Sequence, residues 1–318
     1  MDTNSVFLSR EVSAFARFQP AAQLGLATLA AIVACGCAGE SRSVAVSTAP
    51  PSQTAGPGEP DFRQAAGLPD GFRLVWADEF EVPGLPDPTR WDYDTDRNRA
   101  GWYNHELQYY ARARLENSRV ENGHLVLTAR REDLSASGLP DWGGQQYSSA
   151  RLVTRAKAAW TYGFVEIRAK LACGRGTWPA LWMLSAPPET RWPDDGELDI
   201  MEHVGFTPGV VHATMHTAAY NHVKGNARSA SIEVAEVCTS FHRYQLTWNA
   251  ARIIVGVDDQ AYYQYSNDHS GNAEWPFDSP QYLLLNIAVG GDWGGQRGVD
   301  DAIWPVRMEV DYVRVYQQ

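Results

Sequence analysis

The chain has 318 residues, with 27 Lys and Arg against 38 Asp and Glu, a net charge of −11. That balance excludes a protein that tracks phosphates, because neutralising them takes clustered Lys and Arg. A neutral polymer remains open as a partner. The length suits one large β domain or two ordinary domains. All 12 Trp lie at or after Trp76, so the first 75 residues and the rest are different materials. So many Trp in a chain only 44% hydrophobic point to flat aromatic surfaces of the kind that hold sugars.

Residues 21–34 form an uncharged apolar run after Arg10 and Arg17. The run is shorter than the roughly 20 residues of a membrane-spanning helix. It reads as a secretory signal covering 1–37. Ile32-Val-Ala-Cys35 is similar to a bacterial lipobox, which would lipidate Cys35; an ordinary signal that contains Cys is the alternative. Export to the cell envelope or the medium is expected, with the membrane touched only through that anchor. Residues 38–60 are Ser, Ala, Pro and Gly with almost no large apolar side chain, and should form a tether. Positions 61–318 then carry 24 cationic against 34 acidic residues, a net −10. Cys173 and Cys238 lie within this part. An oxidising compartment allows them to pair; two separate buried thiols are the alternative.

From residue 61 onward, short runs alternate with period two. Examples are 124–129, 163–170, 244–248, 252–257 and 308–316. Clusters such as Glu121-Asn-Gly123 and Gly290-Gly-Asp-Trp-Gly-Gly295 separate them. The pattern predicts one all-β sandwich over 61–318. No sustained helical period and no internal repeat occurs.

The chemistry concentrates in Gly196-Glu-Leu-Asp-Ile-Met-Glu202. On a strand, Glu197 and Asp199 share a face while Leu198 and Ile200 point to the core. Glu202 falls on the wrong parity unless a bulge near Met201 inserts one residue. With the bulge, three acids line one face. Crowded carboxyls cannot all ionise freely, so one Glu should keep its proton and act as an acid. Two carboxyls about 5–5.5 Å apart are what a retaining glycosidase needs. A solvated acidic strand face is the bland reading, but three acids without interleaved Lys or Arg make a poor structural device. Trp178 and Trp182 share a strand face upstream, and Trp192 nearly abuts the acids.

At this point the sequence resembles glycoside hydrolase family 16, and within it the laminarinase (endo-1,3-β-glucanase) branch. The likeness runs from about Phe72 to the C-terminus. It includes Trp76-Ala-Asp-Glu-Phe80, Asn104-His-Glu-Leu-Gln-Tyr-Tyr110, Tyr147-Ser-Ser-Ala-Arg151, Gly176-Thr-Trp-Pro-Ala-Leu-Trp182, Gly196–Glu202, Tyr282–Gly291 and Val310–Tyr316. The resemblance implies a β-jelly roll of two antiparallel sheets with a concave glycan-binding cleft. It implies retaining double displacement on β-1,3-glucan, with Glu197 as nucleophile, Asp199 assisting and Glu202 as acid/base. Asn104, Arg151, Trp178, Trp182, His216 and Trp293 fall on substrate-contacting positions. No cofactor is expected for catalysis. A structural calcium at Glu79, Gly123 and Asp311 is implied, partly through backbone oxygen, and a monomer is expected. The extra residue in the acid motif matches laminarinases, agarases and carrageenases rather than lichenases. His203, Asp259 and Cys173 depart from common family residues at their positions.

Rival readings are weaker. His203, His212 and His216 suggest a catalytic metal, but His105-Glu-Leu-Gln-Tyr109 lacks the second His of a zinc-protease helix. No Gly-x-Ser-x-Gly elbow and no phosphate loop occurs. A non-catalytic glycan-binding sandwich has no reason to keep all three acids. A hydrolase or transglycosylase for agar-type galactan or mixed-linkage glucan is the nearest enzymatic alternative.

Overall fold

A computed structural model describes residues 66–186 and 191–318. The signal with Cys35, the 38–60 linker and the first residues of the domain lie outside that range. The described residues hold seventeen strands and no α-helix. In chain order they are β1 Arg73–Asp78, β2 Asp92–Tyr93, β3 Gln108–Tyr110, β4 Ser118–Glu121, β5 His124–Arg131, β6 Tyr147–Ser149, β7 Arg151–Val153, β8 Gly163–Lys170 and β9 Thr177–Ser185. There follow β10 Glu197–His203, β11 Val210–His216, β12 Arg228–Glu233, β13 His242–Trp248, β14 Arg252–Val257, β15 Gln260–Ser266, β16 Gln281–Val289 and β17 Val306–Gln317. The alternation over 163–170 and 252–257 matches β8 and β14 to the residue. The C-terminal run extends beyond 308–316 at both ends, because β17 pairs with β1, β5 and β8 along its length.

The strands form two sheets. One has ten strands along the path β15-β14-β13-β8-β17-β5-β6-β3, with β1 on β17 and β4 on β5. The other has seven, in the order β12-β11-β10-β9-β16-β7-β2. Period-two side chains from both close the core. Leu125, Leu127 and Ala129 of β5 and Val165 and Ile167 of β8 meet Leu181 and Met183 of β9 and Leu283, Leu285 and Ile287 of β16. Burying each such side chain contributes about 1.5–3 kcal/mol.

The expectation of purely antiparallel sheets needs one correction. β3 and β6 run parallel, Gln108 beside Tyr147 and Tyr110 beside Ser149. Parallel pairing needs a long connection, and the chain from 111 to 146, which includes the β4–β5 hairpin, supplies it. That hairpin turns on Asn122 and Gly123, both left-handed at φ 55° and 76°, as a type I′ turn requires.

The seven-stranded sheet carries the site. Its strand β16, between β9 and β7, is buried at every residue: one face lies in the core and the other in the cleft floor. A disulfide joins Cys173 and Cys238, with Cα atoms 5.8 Å apart. Cys173 lies on the β8–β9 connection and Cys238 on the β12–β13 connection, and both connections cross between the sheets.

Candidate active site

β10 explains how three acids come to share a face. Against β9, Asp199 opposes Trp182 and Met201 opposes Leu181, so Ile200 is the extra residue. Against β11, Asp199 opposes Thr214 and Glu202 opposes His212. Two residues therefore face one, which is a β-bulge. Ile200 and Met201 both turn into the core and are fully buried. Glu202 rejoins the face of Glu197 and Asp199.

Register then furnishes the cleft. Cross-strand partners share a face. Glu197 lies beside His216, Asp199 beside Thr214 and Trp182, and Glu202 beside His212 and Ala180. Asn286 of β16 lies beyond Ala180, and its Oδ1 accepts from Trp182 Nε1 at 2.7 Å. Ala180 is the small residue of the row, which leaves Glu202 room between Trp178 and Trp182.

The carboxyls differ in setting. Trp192 Nε1 donates to Glu197 Oε2 at 2.8 Å, and His216 Nε2 lies 3.8 Å from Glu197 Oε1. Asp199 is 2% exposed. Burial first, and then the neighbouring Glu197, push its carboxyl well above the usual range. In protonated form it bonds to Glu197. His216 Nε2 stands 3.3 Å from Asp199 Oδ2. Glu202 is likewise pushed well up, by burial and then by Asp199. Trp178 Nε1 donates to its Oε1 at 3.0 Å and pulls the other way. Chemically, one face offers a carboxylate to an electrophilic carbon and a nearby carboxyl that still holds a proton.

Aromatic walls flank this face. Trp293, from the Gly-rich loop, packs edge-on against Trp178 with ring centroids 5.4 Å apart, and against His212 at 5.0 Å. Gly294 makes the loop's approach possible, since a Cβ there would meet Trp178 Cβ at 2.9 Å and Gly290 O at 2.6 Å. Asn104 is left-handed at φ 56°. Its carbonyl accepts from Asp292 N at 2.7 Å, which ties the 103–105 turn to the same loop.

Arg151 is held tightly by its neighbours. It is 7% exposed. Its guanidinium lies 4.5, 4.7 and 5.2 Å from the rings of Trp102, Tyr110 and Trp182. Asp94 at 3.5 Å and Glu106 at 3.8 Å balance its charge. As the direct partner of Asn286 on β16, Arg151 stands on the cleft face, where its buried guanidinium packs beside Trp182. Glu106 is a partner that reading the sequence passed over; burial raises its carboxyl against the pull of Arg151. The Trp192–Glu197 bond was also missed, although the five-residue spacing placed Trp192 close by. His203, the departure from the family pattern, is fully buried. Burial and His212 press its imidazole down to about 4, so it packs as a neutral ring.

Glu79, Gly123 and Asp311 gather at the middle of β17, where the ends of β5 and β1 meet. Asp78 pairs with Val313, and Leu125 with Val310. Arg314 holds the Glu79 carboxylate through two 2.8 Å bonds. Asp311 faces Arg168 at 2.5 Å and His124 at 3.5 Å. Oxygen donors of this kind fit calcium. Glu79 would offer its backbone oxygen, and the ion would compete with Arg168 for Asp311.

Comparison with known proteins follows the same lines. The family model described as "Glycosyl hydrolases family 16" matches residues 106–314. A β-glucanase of Rhodothermus marinus is 53% identical over 254 residues, covering 77% of this chain and 85% of that protein. The X-ray structure of the laminarinase from Rhodothermus marinus superposes with TM-score 0.73 at 52% identity, covering 77% of this chain and 97% of that one. A non-specific endo-β-1,3(4)-glucanase of family GH16, crystallised with 1,3-β-D-cellotriosyl-glucose, superposes with TM-score 0.77 at 53% identity, covering 79% and 97%. With a family match over most of the chain and relatives this close, the protein belongs to glycosyl hydrolase family 16.

Proposed function

We propose that this protein cleaves β-1,3-glucan internally, by double displacement with retention. Glu197 attacks the anomeric carbon while Glu202 gives its proton to the departing oxygen. Water, giving its proton to Glu202, then attacks the anomeric carbon and breaks its bond to Glu197, freeing the sugar with its β configuration. Asp199 stays protonated and bonded to Glu197. Trp192 holds the second Glu197 oxygen, so the attacking carboxylate is aimed before substrate arrives. Trp178, Trp182 and Trp293 stack the sugar rings. The observation that carries the reading is the shared face of Glu197, Asp199 and Glu202 between Trp178, Trp182 and Trp192. The names of the relatives support the glucan and its β-1,3 linkage.

Glu197→Gln should abolish hydrolysis of laminarin and leave glycan binding and thermal unfolding close to wild type. Proton NMR of early product should show the β-anomer first. Full activity in the variant, or an initial α-anomer, defeats the assignment. Activity should also fall as pH rises through the elevated pKa of Glu202, because the acid then loses its proton.

A calcium ion at Glu79, Gly123 and Asp311 is a separate part of the proposal. EDTA should lower the melting temperature and excess calcium restore it, and Asp311→Asn should remove that dependence. A wild-type melting temperature indifferent to both chelator and calcium removes the ion.

A further inference from the structure

We infer that Glu197, Asp199 and His216 form a transition-metal site superimposed on the catalytic face, at which a divalent ion of the zinc class stops hydrolysis. One ligand atom from each of the three residues lies within 4.8 Å of the other two. Among the described residues no other group of three His, Cys, Asp or Glu side chains meets that geometry. Asp199 Oδ2 is buried without a hydrogen-bond partner and faces His216 Nε2 at 3.3 Å. An oxygen so placed is costly to leave unsatisfied, and a cation between it and the imidazole would satisfy it.

The donor set selects the metal class. One imidazole with two carboxylates suits zinc and its neighbours. Calcium asks for six to eight oxygens, which this corner does not offer. Glu197 is the most open of the three and faces the cleft, so water completes the coordination from that side. The bulged register supplies the geometry, since Glu197 and Asp199 are adjacent out-facing residues and His216 is the direct partner of Glu197. A metal held there takes the place of the Asp199 proton, which is released to solvent, and occupies Glu197 Oε1, the oxygen not taken by Trp192. Substrate and metal are then mutually exclusive. That last step rests on the glucanase reading above; the binding site itself does not.

The test is calorimetric titration of the full chain with zinc chloride, in excess calcium chloride so that hard-cation sites are filled. One zinc per chain is expected. Losing even an outer-shell partner costs about 10–100-fold in metal affinity, so His216→Gln should weaken binding at least tenfold. His105→Ala and His242→Ala remove the two-residue pairs with Asp292 and Asp258 and should leave zinc affinity unchanged. Zinc should inhibit laminarin hydrolysis competitively. Wild-type zinc affinity in His216→Gln, or loss of binding in either control variant, overturns the site. Should His216→Gln fail to fold, saturating laminaritriose must raise the apparent zinc Kd of the wild-type chain; an unchanged Kd overturns the proposal equally. Laminarin hydrolysis measured without zinc tests the enzymatic reading by itself.

Discussion

Asp199 is where a single side chain does most for the site. Its burial and the adjacent Glu197 keep a proton on it, so toward Glu197 it behaves as a neutral hydrogen-bond donor rather than as a third charge. An amide can imitate that role and a methyl cannot. Asp199→Asn should therefore retain more kcat than Asp199→Ala, which loses the donor outright. Removal of one pre-aimed donor costs about 10²–10³ in rate, and the Asn–Ala gap in laminarin kcat should approach that scale. Equal loss in the two variants would mean that the charge of Asp199, not its proton, matters. Arg151 teaches the complementary lesson. The family resemblance implies a sugar contact there, and the structure packs the guanidinium among Trp102, Tyr110 and Trp182 with its charge balanced by Asp94 and Glu106. Side-chain chemistry alone does not say how deeply a cation is packed or which acids balance it.

At the scale of the element, β10 was the most legible part of the chain. Parity alone required an extra residue between Asp199 and Glu202, and the ladders shift register there on both sides. What precedes the strand was not legible. Gly196 is left-handed at φ 83°, and a Cβ on it would meet Phe277 Cε1 at 2.6 Å and Pro276 Cγ at 2.8 Å. The residue thus sets the angle at which Glu197 enters the sheet. Gly196→Ala should cost about 1–2 kcal/mol for the backbone alone, with overpacking adding about as much again. Denaturant unfolding should record that loss, and laminarin kcat should fall with it because Glu197 is the next residue. Stability and kcat both at wild-type level would show that the turn relaxes freely.

At the scale of the whole molecule, the two sheets are joined covalently as well as by their core. Cys173–Cys238 links two sheet-to-sheet connections across a sequence separation of 65. A closed loop of that size restricts the unfolded chain by about 4 kcal/mol in the entropy model, and measured values run about 2–4. Cys238→Ser should lower unfolding free energy by about 2–4 kcal/mol while the catalytic face, built from β9, β10 and β11, keeps its activity at moderate temperature. Lost activity without lost stability would place the bridge in the site instead.

Strand positions, the acid face and the bulge could be read from the chain because period-two alternation is local: each side chain's face follows from its neighbours one and two residues away. The Trp192–Glu197 bond, the burial of Arg151, the parallel β3–β6 pair and the Asp199–His216 approach could not. The first depends on the path of the turn before β10, and the others on which residues stand opposite across neighbouring strands. Register, loop path and sheet curvature decide those contacts, and they exist only once both sheets have closed on the core.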